Sequence, residues 1–400
     1  MSLEIQLLLG IALALLFAKL LGYLFEKIKQ PAVVGEILAG VLLGSFIIGR
    51  FSGTNISIAE QNFCLAIPDF TSSSFEALGF IGIVMLLFIA GLETDFKEIK
   101  KTEKIGFSTA IGGVILPFTF GFLVGQFFGF SLHASLAAGT IFVATSVGVT
   151  ARTLMDMHAI HTDVGATILS AAVIDDVIGI FILAVVLGTG SPAFLAVKIL
   201  IFFLITLYLG LRIISKLIDG FEKIKTPRIL ITASLVICFV FAVFASEIGL
   251  AAIIGAFVAG LIIGTTAQSK KIVSDVKTIS YTLFIPLFFV WVGASIDLSV
   301  IKDVGLLALL FIPLAIAGKI IGCGVGSKMG GFTSRKALTV GVGMIPRMEV
   351  ALIVATTAIA QGIFTGRLAH QMLAVTVLHV CVTTFLAPIL IKATFKKEEE

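Results

Sequence analysis

The sequence of 400 residues has few charged side chains. Aspartate, glutamate, lysine and arginine make up 13% of the residues and hydrophobic residues 58%, whereas a soluble domain carries about 25% charged residues. This composition excludes an ordinary soluble globular protein. The net charge of +4 is small, and we interpret it as a signal of membrane topology. It does not indicate a surface for a nucleic-acid partner.

Sequence motifs of metal sites and enzymes are missing as well. The four cysteines have neither metal-ligand spacing nor a CxxC pair, so we interpret them as packing residues. The five histidines are scattered, and pH sensing by a loop histidine stays open. We expect no resident metal or other cofactor. The apolar stretches contain no HExxH motif and no plausible Ser-His-Asp set, so we expect no enzyme.

Long apolar stretches, in contrast, recur along the whole chain. A helix needs about 20 apolar residues to cross a bilayer, so the sequence predicts an all-α polytopic membrane protein. Glu4 precedes the first stretch, where a cleavable signal would have basic residues, so we expect no signal peptide. We predict about thirteen transmembrane helices, over residues 4–26, 31–49, 77–95, 105–129, 133–152, 164–188, 192–216, 228–246, 249–267, 279–298, 303–327, 334–360 and 368–392.

Lysine and arginine are distributed unevenly between alternate loops. Most of the 28 lie on one side of the predicted membrane, whereas Arg50, Lys302 and Arg367 lie on the other. Cytoplasmic loops carry an excess of these residues. The asymmetry therefore predicts that the N-terminus is outside and that the C-terminal residues 392–400 are cytoplasmic.

An internal repeat organises the chain. Residues 31–44, PAVVGEILAGVLLG, match residues 251–264, AAIIGAFVAGLIIG, with glycines and alanines in register, and the ends of the third and tenth spans, GLETD and GASID, also correspond. Spans 1–6 and 8–13 therefore form two copies. Because an odd helix lies between them, the second copy enters from the opposite side, which predicts inverted-topology repeats. The alternative is convergent packing of small residues.

The repeat also predicts two broken helices. The fifth span carries Thr145 and Ser146 in ATSVGVT, and the corresponding twelfth span carries Pro346 in GVGMIPRME. Irregular backbone at this depth is tolerated only where it is buried or lines a cavity, and half-helix ends can hold an ion. We therefore expect Thr145, Ser146 and Pro346 to lie close together near the middle of the bilayer.

Two adjacent aspartates, Asp175 and Asp176, lie in the middle of the apolar stretch 164–188. A carboxylate at bilayer depth costs roughly 2.5–3.5 kcal/mol on insertion scales, so the pair indicates the functional site. Adjacent helical residues point about 100° apart, so each carboxyl group needs its own partner. The alternative is that both stay neutral and hydrogen-bonded inside a bundle, although neutralising them is itself a proton-binding event.

Basic residues accompany these acids at depth. Lys319 lies among glycines in the eleventh span, where it needs an anionic partner or must lose its proton, and either aspartate is a candidate partner. Arg347 and Glu349 lie beside the predicted break in the twelfth span. We expect them to pair with other groups and to hold the broken helix in shape.

These segments together resemble a known family. PAVVGEILAGVLLG, ATSVGVTAR, AAVIDDVIG, AGKIIG and MIPRMEVALI are similar to signature segments of the monovalent cation:proton antiporter-2 family, in particular its NapA-like sodium/proton exchangers. The resemblance covers nearly all of the chain. It implies that Asp176 is the principal ion- and proton-binding residue, that Asp175 precedes it in the same site, and that Lys319 pairs with Asp175. Met348 departs from the usual glycine after the arginine.

The resemblance further implies the roles of the two halves. Residues 1–98 and 227–300 would form scaffold and dimerisation helices, residues 99–190 and 301–393 the ion-binding core, residues 191–226 a linker helix, and residues 394–400 a cytoplasmic tail. Thr145 and Ser146 would lie at the crossing and share the Na⁺ site with the two aspartates. A homodimer in a prokaryotic inner membrane, in contact with membrane lipid, is the expected assembly.

The expected function is antiport of Na⁺ and H⁺ by alternating access. The Asp-Asp pair with a buried lysine resembles the electrogenic branch of the family, which exchanges two protons for one Na⁺. Within transport, K⁺ or Li⁺ could replace Na⁺, because carboxylates and carbonyls select by a cavity size that a sequence does not show. A gated cation channel is the alternative from another class, but no TVGYG-like filter occurs.

Overall fold

The structure is a computed structural model of the chain. It describes residues 2–28, 30–44, 49, 55–58, 61–64, 68–94, 96–187, 192–222, 228–295, 304–347 and 349–399. Within these residues the chain is built almost entirely from helices. The helices are α1 (Leu3–Lys27), α2 (Ala32–Leu43), α3 (Ser73–Glu93), α4 (Phe96–Phe127), α5 (Leu132–Val143), α6 (Val147–Asp156), α7 (Asp163–Leu187), α8 (Pro192–Leu209), α9 (Ser215–Glu222), α10 (Ile229–Glu247), α11 (Ala252–Gly264), α12 (Ser269–Ile279), α13 (Ile285–Ala294), α14 (Gly305–Met329), α15 (Ser334–Gly343), α16 (Glu349–Ala360) and α17 (Gly366–Glu399).

The helices confirm the prediction of a helical membrane protein. Among the described residues, nine helices are long and apolar enough to cross a membrane, and four shorter apolar helices accompany them. The number of thirteen spans stays a prediction. Two π-helical segments, Gly210–Ile214 and Ser280–Phe284, join α8 to α9 and α12 to α13. Helix α17 continues to Glu399, past the predicted end of the last span.

A short hairpin departs from the all-α prediction. Strands β1 (Asn55–Ile58) and β2 (Gln61–Cys64) pair antiparallel, with Asn55 opposite Cys64. They lie in the segment between α2 and α3, to which the sequence analysis assigned no structure. Two four-residue strands contain too few residues to show a clear period of two, so the pattern gave little signal.

The chain divides into two compact units. One comprises Met1–Leu86 and Val276–Ser299, and the other Leu87–Asp275 and Val300–Glu400. In the first unit, apolar side chains of α1, α2 and α13 form a buried cluster with Phe70 and Phe75. In the second, a larger cluster joins α5, α14, α16 and α17. The division into scaffold, core and linker given above stays a prediction.

Glycine contacts repeat between the two halves of the sequence. In the first unit, a Cβ atom on Gly40 of α2 would lie 2.1 Å from the carbonyl oxygen of Val290, and one on Gly293 of α13 would lie 2.1 Å from that of Ile37. These helices therefore touch backbone to backbone.

The equivalent residues make the same contact in the second unit. Gly260 of α11 approaches the carbonyl oxygen of Phe88 and Gly91 of α3 that of Phe257, each with a Cβ distance of 2.2 Å. In the repeat, Gly260 corresponds to Gly40 and Gly91 to Gly293. The second helix of each copy thus packs on the third helix of the other copy. This exchange supports the internal repeat and argues against convergent packing.

Candidate functional site: two crossing helix breaks and a buried ion pair

Two helices in the second unit are interrupted, and their interruptions meet. Residues 144–146 separate α5 from α6, and residues 344–348, of which Met348 lies outside the described residues, separate α15 from α16. The amide of Ser146 donates a hydrogen bond to the carbonyl oxygen of Pro346 at 2.8 Å. The hydroxyl of Thr150 donates to the carbonyl oxygen of Gly343 at 2.6 Å. The expected proximity of the two breaks is therefore observed.

Each break leaves helix ends without intrahelical partners. The carbonyl ends of α5 and α15 carry partial negative charge, and the amide ends of α6 and α16 carry partial positive charge. Proline has no amide hydrogen and disfavours a helical conformation in the residue before it, which explains the end of α15 near Pro346. Buried helix ends need polar partners, because an unsatisfied backbone group is costly away from water.

Arg347 supplies such partners for both carbonyl ends. Its side chain is fully buried. One guanidinium nitrogen, Nη2, donates to the carbonyl oxygen of Phe142 in α5 at 2.8 Å. The other, Nη1, lies 3.1–3.3 Å from the carbonyl oxygens of Met344, Ile345 and Pro346 at the end of α15. One side chain thus joins both broken helices.

Helix α17 fixes the same residue through its backbone. The amide of Arg347 donates to the hydroxyl of Thr383 at 3.2 Å, and its carbonyl oxygen accepts from the hydroxyl of Thr384 at 3.4 Å. Arg347 is therefore positioned as the sequence analysis expected, beside the break and bonded to other groups. The side chain of Glu349 lies outside the described part of the chain, so its expected role stays a prediction.

The buried ion pair joins α14 to α7. The ammonium nitrogen of Lys319 lies 2.9 Å from Oδ1 and 3.0 Å from Oδ2 of Asp175. Both side chains are almost completely buried, with exposed fractions of 0% and 1%. The residues alone left open which aspartate pairs with Lys319, the family resemblance implied Asp175, and Asp175 is the partner in the structure. The opposite charges offset part of the large cost of desolvating each group.

Asp176 lies next to this pair on α7 and is also buried. Helix α7 packs against α5, α6, α15 and α16, so the two carboxylates lie on the helix that borders both breaks. Thr145 and Ser146 are buried at the crossing itself, and the hydroxyl of Thr145 lies 3.4 Å from Nη1 of Arg347. The structure thus gathers these predicted site residues in one unit.

Carboxylate, hydroxyl and backbone carbonyl oxygens lie at the crossing and on the adjacent helix α7. Carboxylates, hydroxyl groups and backbone carbonyls suit hard cations, and half-helix ends of this kind coordinate Na⁺ in transporters. Among the described residues, no group of three or more histidine, cysteine, aspartate or glutamate side chains is placed to hold a metal ion.

His379 is a buried residue that sequence reasoning missed. It lies on α17 against the rings of Phe311 and Phe142, with ring centroids 5.9 Å and 6.3 Å away. Neither ring nitrogen has a hydrogen-bond partner in the described part of the chain. A histidine among apolar residues of a predicted span gives no local signal of its surroundings, because these partners come from α5 and α14.

Fold and site define the class of the protein: a helical membrane protein with a buried ion pair beside two crossing helix breaks. The chain belongs to the sodium/hydrogen exchanger family, whose transmembrane region matches residues 12–397. A buried aspartate paired with a lysine, on helices packed beside two breaks, agrees with this family, because intramembrane ionisable residues mark ion pathways.

Relatives and a solved structure are similar over nearly the full length. The Na⁺/H⁺-K⁺ antiporter GerN of Bacillus cereus is 32% identical over 99% of this chain and 98% of its own. The Na⁺/H⁺ antiporter of Enterococcus hirae is 33% identical over 97% and 98%. The sodium/proton antiporter MjNhaP1 of Methanocaldococcus jannaschii has a similar fold, with a TM-score of 0.66 at 18% identity over 98% and 97% of the two chains. The protein is therefore an integral membrane protein of a family of cation/proton antiporters.

Proposed function

We propose that the protein exchanges Na⁺ for H⁺ across a prokaryotic inner membrane by alternating access. Asp176 binds the cation and a proton in turn, and Asp175, Thr145 and Ser146 contribute oxygen ligands. The observation that carries the proposal is the ion pair of Lys319 with Asp175 at 2.9 Å, deep in the second unit. A buried charge pair that can be opened by an incoming cation couples ion binding to proton release.

The coupling follows from competition for the carboxylates. A proton and Na⁺ compete for Asp176, because one carboxylate cannot serve both. When Na⁺ also engages Asp175, the ammonium of Lys319 loses its partner in an apolar surrounding and becomes able to release its proton. Two protons then move for each Na⁺, so exchange is electrogenic. Arg347 holds the crossing through these steps, because it binds carbonyl groups on both broken helices.

The remaining features of the proposal follow the internal repeat and the family. The two copies are inverted, with the N-terminus outside and the C-terminus cytoplasmic. Residues 99–190 and 301–393 form the moving core, and residues 1–98 and 227–300 form the scaffold of a homodimer of the NapA-like type. Li⁺ is a second substrate because it is a hard monovalent cation like Na⁺.

K⁺/H⁺ exchange is the second candidate function. It is favoured by the similarity to GerN, which is named as a Na⁺/H⁺-K⁺ antiporter. Both functions use the same carboxylates and differ in the size of the cation. Proton flux driven by Na⁺, Li⁺ and K⁺ in proteoliposomes at several pH values separates them. Flux with K⁺ and none with Na⁺ would replace the first proposal by the second.

The assignment of Asp176 is tested by Asp176→Asn. We expect this variant to fold but to lose exchange completely, because an amide cannot alternate between binding a proton and binding a cation. Asp163→Asn is the matched control, since Asp163 lies at the start of the same helix and is partly exposed. We expect the control to retain exchange. Sodium-driven proton movement near the wild-type rate in Asp176→Asn would refute the assignment.

A further inference from the structure

Lys319 reaches Asp175 by crossing the surface of a third helix. The lysine lies on α14 and the aspartate on α7, and α4 packs against both helices. At this level α4 and α14 are in backbone contact. A Cβ atom on Gly112 would lie 2.1 Å from the carbonyl oxygen of Gly322, and one on Gly322 would lie 2.2 Å from that of Gly112. Little space therefore remains between these helices for a long side chain.

The remaining space lies next to the Cα atom of Gly113, where any other residue would place its side chain. A Cβ atom on this residue would lie 2.4 Å from Sγ of Cys323, 3.4 Å from Nζ of Lys319 and 3.8 Å from Cδ of the same lysine. The thiol and the end of the lysine side chain thus share the volume that any other residue at position 113 would fill. Cys323 follows Lys319 by four residues, so the two lie on one face of α14.

The part of the lysine side chain that lies in this volume ends in the ammonium group of the ion pair. Lysine has a flexible four-carbon stem and therefore depends on its surroundings to fix the ammonium group. A desolvated pair is stable only when its geometry is good, because the attraction must offset the loss of hydration of both charges. Packing also transmits shifts of a fraction of an ångström, since a close-packed interior has few voids.

We propose that Gly113 and Cys323 are positioning residues that hold the ammonium of Lys319 against Asp175. The missing side chain at Gly113 leaves room for the lysine side chain. The thiol of Cys323 fills the rest of this volume, so the lysine reaches Asp175 in one conformation. The inference rests on the proposed function for its effect on exchange, but its structural part concerns the ion pair alone. Neither residue is among the proposed ligands of the transported ion.

The first test is Gly113→Ala with and without Cys323→Ala. The added methyl group collides with the thiol and presses on the lysine, so we expect the potential-dependent part of sodium-driven exchange to fall about tenfold in Gly113→Ala. Removing the thiol in Gly113→Ala/Cys323→Ala makes room for the methyl group and should restore exchange to within about twofold of wild type. The measurement is charge movement and its pH profile in proteoliposomes.

Gly112→Ala is the matched control for this test. Its methyl group would meet the backbone of Gly322, which cannot move aside, so Cys323→Ala should not restore that variant. If Gly113→Ala moves charge with the wild-type pH profile, the inference is wrong. It is equally wrong if Cys323→Ala fails to restore Gly113→Ala, because the proposed cause is the collision with the thiol.

A second test does not depend on transport. Thermal unfolding of the full-length protein in detergent is compared for Gly113→Ala, Lys319→Gln and the double variant. If Gly113 acts through the lysine, Gly113→Ala should lower the midpoint less in the Lys319→Gln background than in the wild type, because only the collision with the thiol then remains, whereas fully additive losses would overturn the inference. A wild-type protein that exchanges no cation would refute the proposed function and leave this second result valid.

Discussion

The two fully buried cations of the site, Lys319 and Arg347, are held in different ways. Lys319 pairs with a carboxylate, and its ammonium nitrogen lies 2.9 Å and 3.0 Å from the two oxygens of Asp175. Arg347 instead donates to carbonyl oxygens of Phe142, Met344 and Ile345 on two helix ends. One positive charge is balanced by an opposite charge and the other by dipoles.

The different partners of Lys319 and Arg347 correspond to different chemistry: an ammonium group can lose its proton, whereas a guanidinium group stays charged. A guanidinium group holds its proton far more firmly than an ammonium group, and its planar fork reaches several acceptors at once. Carbonyl groups cannot be protonated or drawn away by a passing cation without unwinding the helix ends. In the proposed mechanism, the carboxylate of Asp175 can turn to Na⁺ or accept a proton. Arg347 therefore suits a structural role, and Lys319 suits a role in coupling.

The largest expected effect is that of Arg347→Lys. An ammonium group offers three donors at one point, so it cannot reach Phe142 and the end of α15 together. Buried carbonyls are then left unsatisfied, and we expect a loss of about 3–5 kcal/mol in the free energy of unfolding, the range for a buried charge that loses its partners. Thermal unfolding in detergent measures it, with Arg335→Lys on the exposed start of α15 as the control. Equal midpoints for the two variants would contradict a structural role for Arg347.

Lys319→Gln should have a smaller effect on stability and a specific effect on transport. Asp175 can take up a proton when its countercharge is lost, so we expect a loss of about 1–3 kcal/mol, the cost of an imperfectly bonded buried group. In the proposed mechanism, Asp176 can still exchange one proton for one cation. We therefore expect some exchange to remain with reduced or lost electrogenicity.

Sodium-driven transport with and without a clamped membrane potential measures this effect. Asp175→Asn/Lys319→Gln is the matched variant, because it replaces the ion pair by two neutral amides and should recover part of the stability. An unchanged dependence on potential in Lys319→Gln would rule out the lysine as a proton carrier. Complete loss of exchange would instead make Lys319 as necessary as Asp176.

The smallest expected effect concerns a lysine–aspartate pair that is not buried. Nζ of Lys336 lies 2.6 Å from Oδ2 of Asp163, but the two side chains are 35% and 30% exposed. Exposed pairs contribute about 0.2–1 kcal/mol and are screened by salt. We expect Lys336→Gln to lower stability by less than about 1 kcal/mol at low salt and by less still at high salt. A loss as large as that of Lys319→Gln would show that burial is not what distinguishes the two pairs.

The sequence alone was enough to single out the candidate site residues, because charge is rare in this chain. Asp175, Asp176 and Lys319 stand out in apolar stretches where every ionisable group is costly. The repeat and Pro346 predicted the two breaks, since proline and matching small residues act on the backbone locally. The helices themselves were predictable from the long apolar stretches. The hairpin of β1 and β2 and the helical continuation of α17 to Glu399 were not predicted.

Only the tertiary structure decided which groups meet. Asp175 and Lys319 are 144 residues apart, and Arg347 and Phe142 are 205 residues apart. No local sequence pattern predicts that Lys319 pairs with Asp175 or that Arg347 bonds to two helix ends. Nor does one predict that Gly113 on α4 leaves room beside Cys323. These pairings follow from the packing of helices whose glycines allow backbone contact, and packing depends on the shapes of distant segments at once.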